Sequence, residues 1–382
     1  MTSSSGTTRT DDTQESAPTT STGAVTSRAD RARRAAPGLA VAVVVAAVAT
    51  PLGSLVPVIG GPVFGILLGI VLATVIRPRE LLRPGLGVAA KPVLQLSIVL
   101  LGATLSLQQV ASVGLGSLPV MLGTLAVALI GAWVLGRLLN VRGDAQLLIG
   151  IGTGICGASA IAATTAVIKP KEHQVAYAIG TIFTFNIIAV LTFPALGHAL
   201  GMDGHSFGLW AGTAINDTSS VVAAAFSFGE GAGPYSIVVK LTRTLTLIPI
   251  VMVLAVWTAR REALRTAQAD THVAETDGDP SAAGVGGSFW RTLPWKKIVP
   301  LFLVGFIAAS ALTTVGVIPD SWHPGLSTAG TFLITVALAG IGLSMRLKDM
   351  RQAGIRPLLL GACLWVLVAV SSLGLQALTG TI

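Results

Sequence analysis

Asp217 lies in the stretch G-T-A-I-N-D-T-S-S-V-V-A-A-A, Gly212 to Ala225, where an acid, an amide and four hydroxyls interrupt an apolar segment. From Phe207 to Phe228 it is the sole ionisable residue. At about 1.5 Å of helical rise per residue it falls near the centre of a hydrocarbon layer roughly 30 Å thick. The next apolar segment carries Lys240 and Arg243, which share a helical face at i, i+3. Lys240 lies roughly 7 Å inside that segment and Arg243 about 12 Å. A lysine at the first depth can snorkel, but an arginine at the second keeps its charge. Ionisable groups at such depth mark substrate or ion paths. Two cations on one face suit an anion, and a lone carboxylate suits a proton carrier or a charge partner.

Three separate uncompensated burials would each cost several kcal/mol, so Asp217, Lys240 and Arg243 are expected to form one charge-coupled site. With Asp217 ionised the site carries about +1. Protonation raises it to about +2, which strengthens anion binding and ties it to proton uptake. Thr213, Asn216, Thr218 and Ser219 are the polar lining expected around it, although hydroxyls alone also serve as interhelical hydrogen bonds.

A second stretch, G-T-G-I-C-G-A-S-A-I-A-A from Gly152 to Ala163, resembles G-T-A-I-N-D-T-S-S-V-V-A from Gly212 to Ala223. Its Gly152, Gly154 and Gly157 have the G-x-G-x-x-G form of a dinucleotide fingerprint. That reading needs a strand, a soluble βαβ unit and an acid about twenty residues on, whereas this one sits inside an apolar segment. Two readings remain: close helix packing through small residues, or a helix interruption whose amides bind an anion at a half-helix N-terminus. The second adds Thr153, Gly154 and Ser159 to the candidate substrate-binding residues.

Composition fixes the class that must position these groups. The 382 residues are 52% hydrophobic and 11% charged, with mean hydropathy +0.77, against about a quarter charged in soluble domains. The chain is expected to be an all-α polytopic membrane protein. Its net charge of +8 does not indicate nucleic acid, because the basic residues fall at the ends of apolar segments. Cys156 and Cys363 belong to no metal-ligand spacing or disulfide framework, and no cofactor or metal is expected. H-E-x-x-H and Walker sequences are absent from the sequence, so neither an intramembrane metalloprotease nor an ATP-driven pump is supported, and the chain is not expected to be an enzyme.

Residues 1–36 are rich in Ser, Thr, Asp and Arg and are expected to form a disordered cytoplasmic tail. The tail ends in Arg28, Arg31, Arg33 and Arg34, which place the N-terminus in the cytoplasm. Residues 37–382 are expected to form a single transmembrane domain of about 9 to 11 spans. The apolar segments run approximately over 38–59, 61–76, 92–110, 116–139, 145–168, 174–200, 206–228, 235–258, 298–318, 326–345 and 357–379. A cytoplasmic linker, 259–297, opens with Arg260, Arg261 and Arg265 and closes with Trp290, Trp295, Lys296 and Lys297, a pattern suited to the membrane surface.

If every segment crosses, the positive-inside rule holds except at Lys169 and Lys171, which fall outside. Residues 94–139 also align without gaps on 332–377, sharing Gly102/Gly340, Ser106/Ser344, Pro119/Pro357 and Gly123/Gly361 among others. An odd number of segments separates these copies, so they face opposite ways, as in inverted-repeat transporters. The Gly152 and Gly212 stretches would then run parallel. Re-entrant hairpins at 145–168 and 206–228, dipping in from opposite sides, remove both conflicts. Broken crossing helices would serve the same chemistry, because either form leaves backbone groups unpaired at mid-depth.

Taken together, L-G-A-T-L-S-L at Leu101 to Leu107, the Gly152 to Ala163 stretch, V-A-Y-A at Val175 to Ala178, G-L-W-A-G-T-A-I-N-D-T at Gly208 to Thr218 and V-V-K-L-T-R at Val238 to Arg243 resemble the YeiH family of bacterial inner-membrane proteins, which carries the label sulfate exporter. Where that family's pattern often has His, this chain has Asn216, so a His proton carrier does not transfer. The resemblance implies a multi-pass protein of the bacterial plasma membrane, similar in architecture to cation/proton antiporters and bile-acid-type symporters with inverted repeats. It points to a secondary transporter of a small anion, such as sulfate or a related oxyanion or organosulfonate. The partners expected are that anion, the lipid bilayer and a coupling proton or sodium ion, and a homodimer is among the assemblies it admits. An anion channel and a non-transporting membrane scaffold or sensor are the alternatives.

Overall fold

The computed structural model describes residues 28–55, 60–76, 80–229, 231–270, 300–344 and 354–382. Among the described residues every regular element is helical: α1 (Arg28–Leu55), α2 (Gly60–Ile76), α3 (Arg83–Val88), α4 (Leu94–Gly102), α5 (Leu107–Leu138), α6 (Asp144–Gly154), α7 (Ala158–Ile168), α8 (Glu172–Ala199), α9 (Gly204–Ala214), α10 (Thr218–Phe228), α11 (Ala232–Leu245), α12 (Leu247–Asp270), α13 (Leu301–Thr314), α14 (His323–Ser344) and α15 (Ile355–Thr379). The chain is an all-α polytopic membrane protein. Among the described residues seven helical stretches are long and apolar enough to cross a membrane.

Several boundaries differ from those the sequence predicts. Residues 28–36 of the expected disordered tail are helical and open α1, while 1–27 lie outside the described residues. Residues 259–270 of the expected linker continue α12, and the remainder, with Trp290, Trp295, Lys296 and Lys297, lies outside the described residues. The segments placed at 92–110 and 116–139 are instead α3–α4 and α5. A capping box causes the change: the Ser106 side chain accepts from Gln109 N–H at 3.2 Å, and Gln109 Oε1 accepts from Ser106 N–H at 2.9 Å, starting a new helix at Leu107. Between α3 and α4 the backbone takes a π turn at Ala89–Val93, which contains Pro92. A residue without an N–H cannot continue the α-helical ladder there.

Helix contacts fix the direction of each element. Gly131 and Gly123 of α5 pack under Leu367 and Leu375 of α15, so these helices run antiparallel. Gly354 faces Tyr177 and Gly361 faces Thr181, so α8 runs parallel to α15. Accordingly the end of α5, the start of α6 and the start of α8 share one end of the bundle, the basic end, where Arg137, Arg142, Lys169 and Lys171 gather. The α6–α7 pair leaves that end and returns to it, and Ile168 packs in one cluster with Leu139 and Val175.

The second pair enters from the far end. Ser206 Oγ donates to Thr381 O at 2.9 Å, which ties the start of α9 to the end of α15. Phe228, at the close of α10, stacks on Phe207 at 4.0 Å and on His198 at 4.2 Å, so α10 finishes where α9 began. Both pairs are therefore re-entrant hairpins, and Lys169 and Lys171 lie at the basic end. Asp203 caps α9 through Ser206 N–H at 2.7 Å, and this hydrogen bond holds its carboxyl below the usual carboxylate range.

The helices form two groups. The first joins α1–α4, α13 and α14, and the second joins α5–α12 and α15. Between the groups, α10 packs on α2 and α14, and α13 packs on α5. Val222 and Ala223 of α10 share a cluster with Ile66, Ile334 and Leu338. In contrast α7 packs chiefly on α6, α8 and α12, and its Ser159 and Ala162 are exposed.

Candidate functional site

The tips of the two hairpins meet. Helix α6 stops because Ile155 leaves the helical region and Gly157 takes φ +64°, a conformation that favours glycine. A Cβ at Gly157 would stand 3.2 Å from Ile182 Cγ2 and 3.5 Å from Asp217 N. Helix α9 stops where Ile215 becomes extended, and Asp217, also extended, caps α10. Its carboxylate accepts from Ser219 N–H at 3.0 Å and from the Ser219 hydroxyl.

Lys240 and Arg243 are both fully buried, and both serve the hairpins' broken ends. The Lys240 ammonium donates to Ile155 O at 2.9 Å and to Ile215 O at 2.8 Å. Arg243 Nε donates to Gly154 O at 2.7 Å, and its Nη1 donates to Thr213 O. Each cation thus bridges the C-terminus of α6 to the C-terminus of α9. The last carbonyls of a helix lack intrahelical partners and carry partial negative charge. Two such ends, at about half a charge each, offset roughly one of the two positive charges.

The expected charge coupling does not take the form of a direct ion pair. Among the described residues the ion pairs within 4.0 Å are Arg83–Glu80 and His323–Asp320, so Asp217 bridges to neither Lys240 nor Arg243. Carbonyl oxygens compensate the cations instead, and Asp217 serves the N-terminus of α10, where a carboxylate is favoured.

The other expected residues divide between the two kinds of helix end. Thr153 is buried on the last turn of α6. Thr213 contributes its carbonyl to Arg243, while its hydroxyl donates to Leu209 O at 2.7 Å and shares a 2.7 Å contact with Ser372 Oγ. Asn216 is buried and its Oδ1 has no partner. Ser159 lies exposed in the first turn of α7, and Thr218 and Ser219 lie half-buried in the first turn of α10.

Asn186 of α8 escaped the sequence reading. Its Oδ1 accepts from Asp217 N–H at 3.3 Å, and its buried Nδ2 has no partner. An amide in the middle of T-I-F-T-F-N-I-I-A-V was the available signal. Arg243 Nη2 is likewise buried without a partner.

A family profile described as "Conserved hypothetical protein 698" matches residues 37–361. A UPF0324 membrane protein of Fusobacterium nucleatum is 38% identical over 363 residues, covering 90% of this chain and 98% of the relative. One from Streptococcus pyogenes is 40% identical over 359 residues, covering 91% and 98%. Another, from Streptococcus agalactiae, is 38% identical over 353 residues, covering 90% and 98%.

Proposed function

The chain belongs to this UPF0324 family of membrane proteins, and within it we propose that the protein is a secondary transporter of a small anion working by alternating access. One observation carries the reading: two hairpins from opposite ends meet at tips bridged by two buried cations, one of which keeps an unpartnered N–H. Discontinuous helices that meet inside the bundle are the geometry by which transporters present helix ends to a substrate.

The charge balance favours an anion. Counted formally, Lys240 and Arg243 contribute +2, the two capped C-termini about −1, the N-termini of α7 and α10 about +1, and ionised Asp217 −1, a sum near +1. Amides at the start of α7, the Asn186 amide and the Arg243 guanidinium are the donors for an oxyanion such as sulfate or a related organosulfonate. Asp217 is the proposed proton carrier, because protonation there raises the site to about +2. A sodium ion is the alternative coupling ion.

The contact pattern supports a two-state cycle. Helix α10 is covered by the first helix group while Ser159 and Ala162 of α7 are exposed, so access in this state would come from the basic end. By the positive-inside rule that end faces the cytoplasm, together with the N-terminus. The antiparallel pairing of α5 with α15, and of the opposed hairpins, is consistent with an inverted repeat whose second state covers α7 and opens α10.

Flux of candidate oxyanions into proteoliposomes, against imposed pH and sodium gradients, tests the proposal. Protein-dependent accumulation that reverses with one gradient is expected. Conductance without coupling would make the protein a channel, and absence of flux for every anion would leave a scaffold or sensor.

A further inference from the structure

A cavity of about 670 Å³ opens at the basic end between α5, α6 and α12. Its deep part is apolar, walled by Leu129, Leu147 and Gly150, and its mouth carries Arg137, Arg142 and Arg261. The Arg137 guanidinium lies 3.8 Å over the Trp133 ring, and that of Arg261 lies 3.8 Å over Trp257. Stacking of this kind orients a guanidinium while leaving its edge N–H groups free. No carboxylate comes within ion-pair distance of the three arginines among the described residues. Asp144 also lines the mouth, so its formal charge is about +2 at neutral pH.

The geometry points to a binding site for an anionic glycerophospholipid, with the phosphodiester held by Arg137, Arg142 and Arg261 and an acyl chain lying along Leu129 and Leu147 against α6. A free oxyanion would use the arginines but leave the apolar floor unfilled, whereas a phospholipid fills both. Guanidinium forks match phosphate oxygens, and basic pockets between transmembrane helices suit anionic headgroups. Indole rings favour the membrane interface, and both tryptophans stand beside the arginines. Asp144, at the first position of α6, can accept from a headgroup hydroxyl or amine.

The test uses the full-length protein in detergent, titrated with dioleoylphosphatidylglycerol, dioleoylphosphatidylcholine or inorganic phosphate. Retained lipid is read by native mass spectrometry, and the melting temperature is followed in parallel. Phosphatidylglycerol should bind and raise the melting temperature, while phosphatidylcholine and phosphate at matched concentration should do neither. The double variant Arg137→Ala/Arg261→Ala should bind phosphatidylglycerol about tenfold more weakly or worse. Lys169→Ala/Lys171→Ala, which removes the same charge from the same end outside the cavity, should bind as the wild type does. Leu147→Trp, which fills the apolar floor, should also lose the lipid. Equal loss in both charge variants would reduce the effect to diffuse surface attraction and overturn the site. Binding of inorganic phosphate as tight as that of the lipid would overturn the lipid assignment. None of these readouts requires transport, so the result is independent of the proposed function.

Discussion

Gly157 and Asp217 lie against each other at the meeting point of two hairpins, where a Cβ on the glycine would stand 3.5 Å from the Asp217 backbone nitrogen. That spacing is ordinary contact, but Ile182 Cγ2 would stand at only 3.2 Å, so both φ +64° and close packing call for glycine. Alanine there should cost about 1 to 2 kcal/mol and shift the first turn of α7 relative to Asp217. Gly201 has nearly the same φ, +66°, with no heavy atom within 4 Å of a Cβ. Gly157→Ala should therefore lower the melting temperature in detergent at least as much as Gly201→Ala, which shares the backbone strain without the Ile182 contact. Only Gly157→Ala should lose anion flux, and equal flux in the two variants would remove the tip contact from the mechanism.

Much of this arrangement is legible in the sequence. The helix breaks at Gly154–Gly157 and Asn216–Asp217 stand out because polar and glycine residues are rare in apolar segments. Lys169 and Lys171 then discriminate hairpins from crossings through the side of the membrane they require. The partners of Lys240 and Arg243 are not legible. They are carbonyls of Ile155, Gly154, Ile215 and Thr213, which every residue possesses, so no side-chain pattern announces them. Only the packing of α11 on the α9–α10 hairpin, with its long side chains extending to α6, brings those oxygens within reach.

Lys240→Met keeps the length of the side chain and removes its donors, leaving the Ile155 and Ile215 carbonyls without partners. The expected loss is about 2 to 4 kcal/mol for two buried acceptors. Arg243→Lys keeps the charge but not the fork that reaches Gly154 and Thr213 together, so it should lose stability as well as anion binding. Thermal melts with and without sulfate measure both effects. A Lys240→Met protein that melts with the wild type would show that the ammonium does not hold the hairpins together.

The hairpins place Pro170 and Gly231 at opposite ends of the bundle. Single cysteines at these positions, with Cys156 and Cys363 replaced, should react with an impermeant maleimide from opposite sides of oriented membranes. Position 170 should label from the side of Arg137 and position 231 from the other. Reaction of both from the outer side is what simple crossings require, and it would contradict the re-entrant fold.

Asp217 joins two roles that substitutions can separate. As the cap of α10 it accepts the Ser219 N–H, and asparagine can do the same, whereas alanine forfeits about 1 kcal/mol of cap. As a charge it subtracts one from a site that otherwise sums to about +2, and neither asparagine nor alanine can restore it. If Asp217 is the proton carrier proposed above, its protonation moves the site from about +1 to about +2, and wild-type anion binding should be stronger in acid. Asp217→Asn should bind at all pH values as the wild type does in acid, with its melting temperature nearly unchanged. Asp217→Ala should show the same flat pH profile with a lower melting temperature. Titration of sulfate into each protein across a pH series in detergent distinguishes these outcomes. A wild-type pH profile that persists in Asp217→Asn would assign proton coupling to another group and leave Asp217 as a helix cap.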